Sequence, residues 1–187
     1  MHTTTLCAFG KLARAGLALA LPLLAVSSPA WPQAPGQVPA GLDPELANVF
    51  KRQNSYRYRH CAPRLIWTWQ MANVAKQYAS LCRRDPNNPT RFAHSGSAMY
   101  GENLAWGTGL TGIQAADLWY NERSNYNFNN PGFASNTGHF TQVVWKGTTR
   151  IGCGFATCGG QRLLVCHYWR PGNTTGQFPQ NVSNACR

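Results

Sequence analysis

The stretch Gly138-His139-Phe140-Thr141-Gln142-Val143-Val144-Trp145-Lys146-Gly147-Thr148 marks the point where the chain changes character. From here to the end it is rich in Val, aromatic and Gly residues, and it predicts strands over 139–145, 150–156 and 162–169. Lys146-Gly147-Thr148 and Cys158-Gly159-Gly160 supply the breaks between them.

Toward the N-terminus the spacing is helical. Asp43-Pro44-Glu45 reads as an N-cap, a proline in the first turn and an acid beside it, and Leu46, Val49, Phe50 and Gln53 carry that helix to about residue 58. Thr68 is a candidate cap for a second helix, with Met71, Ala72, Ala75, Tyr78, Ala79 and Cys82 on one face and the polar loop RRDPNNPTR after it. A third helix is expected over 112–124, where Ala115, Trp119, Glu122 and Tyr126 recur at i, i+4, i+7 and i+11. Glu122 then falls beneath Trp119 on an inward face, where a carboxylate needs a partner. Helices followed by a mostly antiparallel sheet define an α+β layered domain.

Residues 1–30 read as a signal peptide: Lys11 and Arg14, an apolar run over 15–26, and a small-residue site at Ser28-Pro29-Ala30. The run is shorter than the roughly 20 residues a transmembrane helix needs, so no membrane anchor is expected. WPQAPGQVPAG over 31–41 suits a Pro/Gly-rich linker, and one domain over 42–187 follows. Cys7 leaves with the leader. Cys61, Cys82, Cys153, Cys158, Cys166 and Cys186 remain, an even number in a secreted chain, with fifteen pairings open. No C-x2-C pair is present to begin a structural zinc site.

The net charge of +11 falls to +9 without Lys11 and Arg14. Such a balance favours anionic cell-surface or cell-wall partners. The basic residues are dispersed and no nucleic-acid-binding motif accompanies them, which excludes nucleic acid as the expected partner. A secreted monomer is the simplest expectation.

Four stretches resemble the signatures of the CAP superfamily (cysteine-rich secretory proteins, antigen 5, pathogenesis-related 1). They are the 138–148 stretch, Leu163-Leu164-Val165-Cys166-His167-Tyr168-Trp169-Arg170-Pro171-Gly172-Asn173, Gly101-Glu102-Asn103-Leu104 and Gln53-Asn54-Ser55-Tyr56-Arg57. Gln53 stands where the family usually has His. The resemblance implies a three-layer α-β-α sandwich around a central antiparallel sheet. It also implies disulfides Cys82–Cys158 and Cys153–Cys166, and with them Cys61–Cys186. The cysteine-rich second domain of some animal members is expected to be absent after Cys186.

The resemblance also implies a cleft lined by His94, His139, Glu102 and Glu122. Two imidazoles can share a divalent cation such as zinc, with the glutamates orienting the rings. The same four residues would serve a metal-dependent hydrolase or protease, or satisfy one another in a structural network. Ser95 is the only nearby nucleophile, and no G-x-S-x-G or H-E-x-x-H motif supports catalysis, so no catalytic residue is assigned.

The loop Tyr126-Asn127-Phe128-Asn129-Asn130-Pro131-Gly132-Phe133 has aromatic-x-aromatic-x4-aromatic spacing and resembles the caveolin-binding-like loop of sterol-exporting members. Tyr126, Phe128, Pro131 and Phe133 are the candidate lipid contacts, as a flat aromatic platform for a sterol. Fatty acids in a groove between helices are the other lipid partner the family implies. Asn173-Thr174-Thr175 and Asn181-Val182-Ser183 are glycosylation sequons in a eukaryotic source. The expected function is non-enzymatic extracellular lipid or sterol binding with a defence, antimicrobial or virulence role. A surface interaction module is the remaining alternative.

Overall fold

The computed structural model describes residues 33–186, so the expected signal peptide lies outside the described residues. Helix α1 (Pro44–Arg59) opens as its sequence requires, with Asp43 Oδ1 accepting from the backbone N–H of Glu45 at 2.9 Å and of Leu46 at 3.1 Å. Strand β1 (Ile66–Trp67) and helix α2 (Trp69–Ser80) follow. Thr68 sits at the N-cap as expected, but its side chain makes no capping bond. The polar loop after α2 contains a small ribbon of β2 (Arg84–Asp85) and β3 (Asn88–Phe92) that sequence reading did not foresee.

Strand β4 (Gly101–Gly107) leads to α3 (Gly112–Asn121), closed at its start by a reciprocal Thr111/Gln114 capping box. The third helix therefore ends before residue 124, and Glu122–Asn125 tighten into a 3-10 turn. Helix α4 (Gly138–Val144) stands where a strand was expected over 139–145. Strands β5 (Arg150–Cys158) and β6 (Gln161–Trp169) form a hairpin across Gly159-Gly160, and α5 (Phe178–Asn181) ends the series.

The main sheet runs β1-β5-β6-β4. Its β5–β6 and β4–β6 pairs are antiparallel, and the short β1 joins parallel to β5 at the far edge. Alternation along β6 divides the core: Leu164, Cys166 and Tyr168 face the cluster of Phe50, Trp119, Phe140 and Val143, whereas Leu163 and Val165 face Ala75 and Ala79 of α2. Helices thus cover both faces, and the chain is a three-layer α-β-α sandwich. Close approach of α2 to β5 depends on Gly152 and Gly154. A Cβ there would lie 2.2 Å from the Ala72 backbone N and 2.4 Å from Lys76 Cα.

Three disulfides cross-link the domain: Cys61–Cys186, Cys82–Cys158 and Cys153–Cys166, the last joining register partners on β5 and β6 within the sheet. Residues 33–41, the described part of the Pro/Gly-rich stretch read as a linker over 31–41, make contacts with the domain. Gly36 N–H donates to Leu65 O at 2.7 Å, Val38 lies against the core and Pro39 is buried. Among the described residues no helix is long and apolar enough to cross a membrane.

Candidate functional site

Glu102 lies at the start of β4, the outer strand of the sheet, directly opposite His167 of β6 in register. Register partners share a face, and Glu102 Oε2 accordingly accepts from His167 Nε2 at 2.9 Å. Its other oxygen accepts from His94 Nδ1 at 2.8 Å and from the Ser95 backbone N–H at 2.8 Å. Burial by itself pushes the Glu102 carboxyl up. The hydrogen bonds from His167, His94 and Ser95 outweigh that effect and hold it well below the usual carboxylate range.

Glu122 belongs to the opposite face. It begins the 3-10 turn after α3, and its Oε2 accepts from the backbone N–H groups of His139 at 2.9 Å and Phe140 at 3.1 Å. Its Oε1 accepts from His139 Nδ1 at 2.6 Å. A carboxylate from one element thereby caps the first turn of α4 in another, which answers the demand for a partner.

Hydrogen bonds join the four cleft residues as two His–Glu pairs, His94–Glu102 and His139–Glu122. Asn103, the residue after Glu102 on β4, donates through Nδ2 to His139 O at 3.1 Å and to Tyr168 Oη at 3.3 Å. Gln53, in the family's histidine position, accepts from Tyr168 Oη–H at 2.9 Å. In each pair it is Nδ1 that faces glutamate, so a neutral ring would present Nε2 as the lone-pair nitrogen a ligating imidazole needs. Two such nitrogens are fewer than a structural zinc site uses. Among the described residues no group of three or more His, Cys, Asp or Glu is arranged to hold a metal ion. Ser95 Oγ accepts from Ser97 N–H in a local turn at 3.2 Å.

Sequence reasoning missed His167. It is buried, stacked on Tyr100 with ring centroids 5.1 Å apart, and its Nδ1 has no hydrogen-bond partner. The available signal was period-two alternation of Leu163, Val165 and His167, but the register that sets His167 against Glu102 is a long-range property.

The 126–133 loop does not form one flat platform. Tyr126 and Phe128 meet edge-on at 4.9 Å and both turn inward against Phe140, at 5.6 and 6.2 Å. Pro131 is half-buried, and Phe133 alone of the three aromatics is exposed, at 63%. Gly138 leaves room for the Phe133 ring, since a Cβ there would stand 3.0 Å from Cε2. His139, the next residue, lines a cavity of about 290 Å³ walled by Leu104, Trp106, Leu118 and Trp119.

Both sequon asparagines are tied into the fold. Asn173 Nδ2 donates to Gly138 O at 2.9 Å, and Asn181 Nδ2 donates to Gln177 O at 2.8 Å. A glycan on either nitrogen would replace one of its two N–H hydrogens beside that bond.

A disulfide-stapled α-β-α sandwich with two His–Glu pairs beside its outer strand is the class of protein this chain represents. Residues 50–168 match the model of the CAP family, the cysteine-rich secretory protein family, and the chain belongs to that family. Over 120 residues it is 46% identical to Protein PRY2 of Saccharomyces cerevisiae, matching 63% of this chain and 34% of that longer protein, about a third of its length. It is 38% identical over 144 residues to the Golgi-associated plant pathogenesis-related protein 1 of Homo sapiens, covering 72% of this chain and 89% of the relative. In solved structures its fold resembles the venom allergen-like protein 4 of Schistosoma mansoni, with a TM-score of 0.56, 28% identity, and 74% and 92% of the two chains covered.

Proposed function

We propose that this chain is a non-enzymatic extracellular binding protein that takes a sterol, or a lipid of similar rigidity, at the outer end of the 126–133 loop. The observation that carries the reading is Phe133, a large ring exposed at 63% on a loop whose other two aromatics are anchored in the core. An aromatic held out on a rigid base loses little freedom when a fused-ring lipid lies against it. The apolar cavity beside His139 offers adjoining surface for the rest of such a ligand. Membership of a secretory family and three disulfides support an oxidising, extracellular setting. The Ser95 hydroxyl is engaged with its own turn and each cleft glutamate with histidine, so the reading assigns the pairs to holding the fold around β4.

Labelled cholesterol or ergosterol tests it. Phe133→Ala is expected to weaken binding about tenfold, from loss of a single ring contact, while leaving the melting temperature unchanged. Phe128→Ala should instead cost stability, because that ring packs on the core. Equal sterol affinity of Phe133→Ala and the parent chain would sink the proposal.

A further inference from the structure

A second cavity, of about 300 Å³, lies between α1 and the 33–41 segment and is lined by Gly36, Lys51, Asn54, Ser55, Tyr58 and Arg64. Lys51 and Arg64 bring an ammonium and a guanidinium to it, and no acidic side chain faces them. The chain has six acidic residues, and all are engaged elsewhere. Asp43 and Asp85 cap their own turns, Glu45 accepts from Gly112 N–H, Asp117 holds Arg52 and Tyr56, and Glu102 and Glu122 hold the histidines. No side-chain carboxylate remains to neutralise Lys51 or Arg64.

Asn54 adds a buried amide to the same cavity lining. Its Oδ1 accepts from Leu65 N–H at 2.8 Å, which fixes the orientation of the amide. The Nδ2 of the same amide is buried with no hydrogen-bond partner, on a side chain whose residue is only 7% exposed. Buried donors are ordinarily paired, so a donor left over beside two unpaired cations marks the place of an acceptor from outside the chain. The Arg64 stem packs on the backbone at Gly36. Gly36 has φ of +80°, and a Cβ there would lie 2.6 Å from Arg64 Cδ, so only glycine lets the backbone rest on the arginine stem.

We propose that this cavity binds the sulfate or phosphate ester group of a sugar. An Arg fork, a Lys charge, a hydroxyl and an amide N–H suit a tetrahedral oxyanion. The cavity is larger than a bare ion requires, and the Tyr58 ring gives a pyranose a flat wall. No aliphatic side chain lines it, so an acyl chain has nothing to pack on.

The test is calorimetric titration of the folded, disulfide-intact protein at low ionic strength with glucose 6-sulfate, glucose 6-phosphate, glucose and inorganic sulfate. Vesicles of phosphatidylcholine containing phosphatidylinositol 4-phosphate form the lipid arm. At least one sugar ester is expected to bind at least about tenfold more tightly than inorganic sulfate, and glucose not at all. Lys51→Gln and Arg64→Gln should each weaken binding roughly tenfold, as loss of a charge-assisted bond does. Asn54→Asp keeps the acceptor for Leu65 but replaces the spare donor with a negative charge, and should abolish binding. Lys76→Gln, on α2 and outside the cavity, should change nothing. The proposal is overturned if neither ester binds, if only the vesicles bind, if Lys76→Gln is as damaging as Lys51→Gln, or if a folded Asn54→Asp variant binds normally.

Discussion

Arg57 shows what a single side chain can hold together. Its guanidinium is fully buried, yet it meets no carboxylate: Nε donates to Pro63 O, Nη1 to Val143 O and Trp145 O, and Nη2 to Thr148 O, at 2.7–2.9 Å. Burial pushes its pKa down to about 9, which still leaves a cation at neutral pH. Arg57→Met is expected to lower unfolding free energy by about 3–5 kcal/mol in urea titrations, since three buried carbonyls and the part-buried one of Pro63 lose a donor, and Arg57→Lys to recover part of that. Glu102 makes a pH-dependent contribution. Its folded pKa lies below the unfolded value of about 4.3, so the unfolded chain binds the proton first as pH falls. The stabilisation is complete above the ordinary carboxylate range and is lost on acidification. Thermal melts should therefore show Glu102→Gln less stable than the parent by on the order of 2 kcal/mol at pH 6, a gap that narrows toward pH 2.

At the scale of elements, α4 separates what could be read locally from what could not. Helices α1 and α3 carry their caps within their own sequence, in Asp43 and in the Thr111/Gln114 box, and α2 shows its buried Met71, Ala72, Ala75 and Ala79 at helical spacing. Helix α4 has neither signal. Residues 140–144 are all buried, so no polar side remains to reveal a period, and Val143-Val144-Trp145 favours a strand by propensity. Its first turn is instead satisfied by Glu122 from another element and braced by Asn173, whose Oδ1 accepts from Thr141 Oγ1 at 2.6 Å. Tertiary contacts decide the conformation. The cleft divides in the same way: Glu122 on an inward face announced its need of a partner, whereas the Glu102–His167 contact depends on strand register. Glu122→Ala is expected to cost about 2 kcal/mol and to speed hydrogen exchange at the His139 and Phe140 amides, and Glu122→Gln to cost less because it keeps one acceptor.

For the whole molecule, the C-terminal segment and the end of α1 form a single seam. Cys61–Cys186 spans 125 residues, and Cys186 N–H donates to Arg59 O at 2.9 Å. Beside it His60 donates from Nδ1 to Ser183 O at 2.7 Å and receives the Tyr120 hydroxyl on Nε2 at 3.0 Å, a pattern that requires the neutral ring. Burial lowers the His60 pKa accordingly. The unfolded chain thus takes up this proton at a higher pH than the folded one, and the seam's contribution is present above about pH 6.5 and declines below it. The disulfide acts chiefly on the unfolded chain, where closing a loop of this length restricts more conformations than the 13-residue separation of Cys153–Cys166 does. Replacing Cys61 and Cys186 together by Ser should cost about 4 kcal/mol in urea unfolding at pH 7.5. In the parent the bond keeps Ser183 close to His60 even when the ring is protonated. Without it, one proton can release the tail, so hydrogen exchange over 183–186 should rise between pH 7.5 and 5.5 far more steeply in the double variant than in the parent. Equal pH profiles in the two proteins would show that the His60–Ser183 bond does not hold the seam.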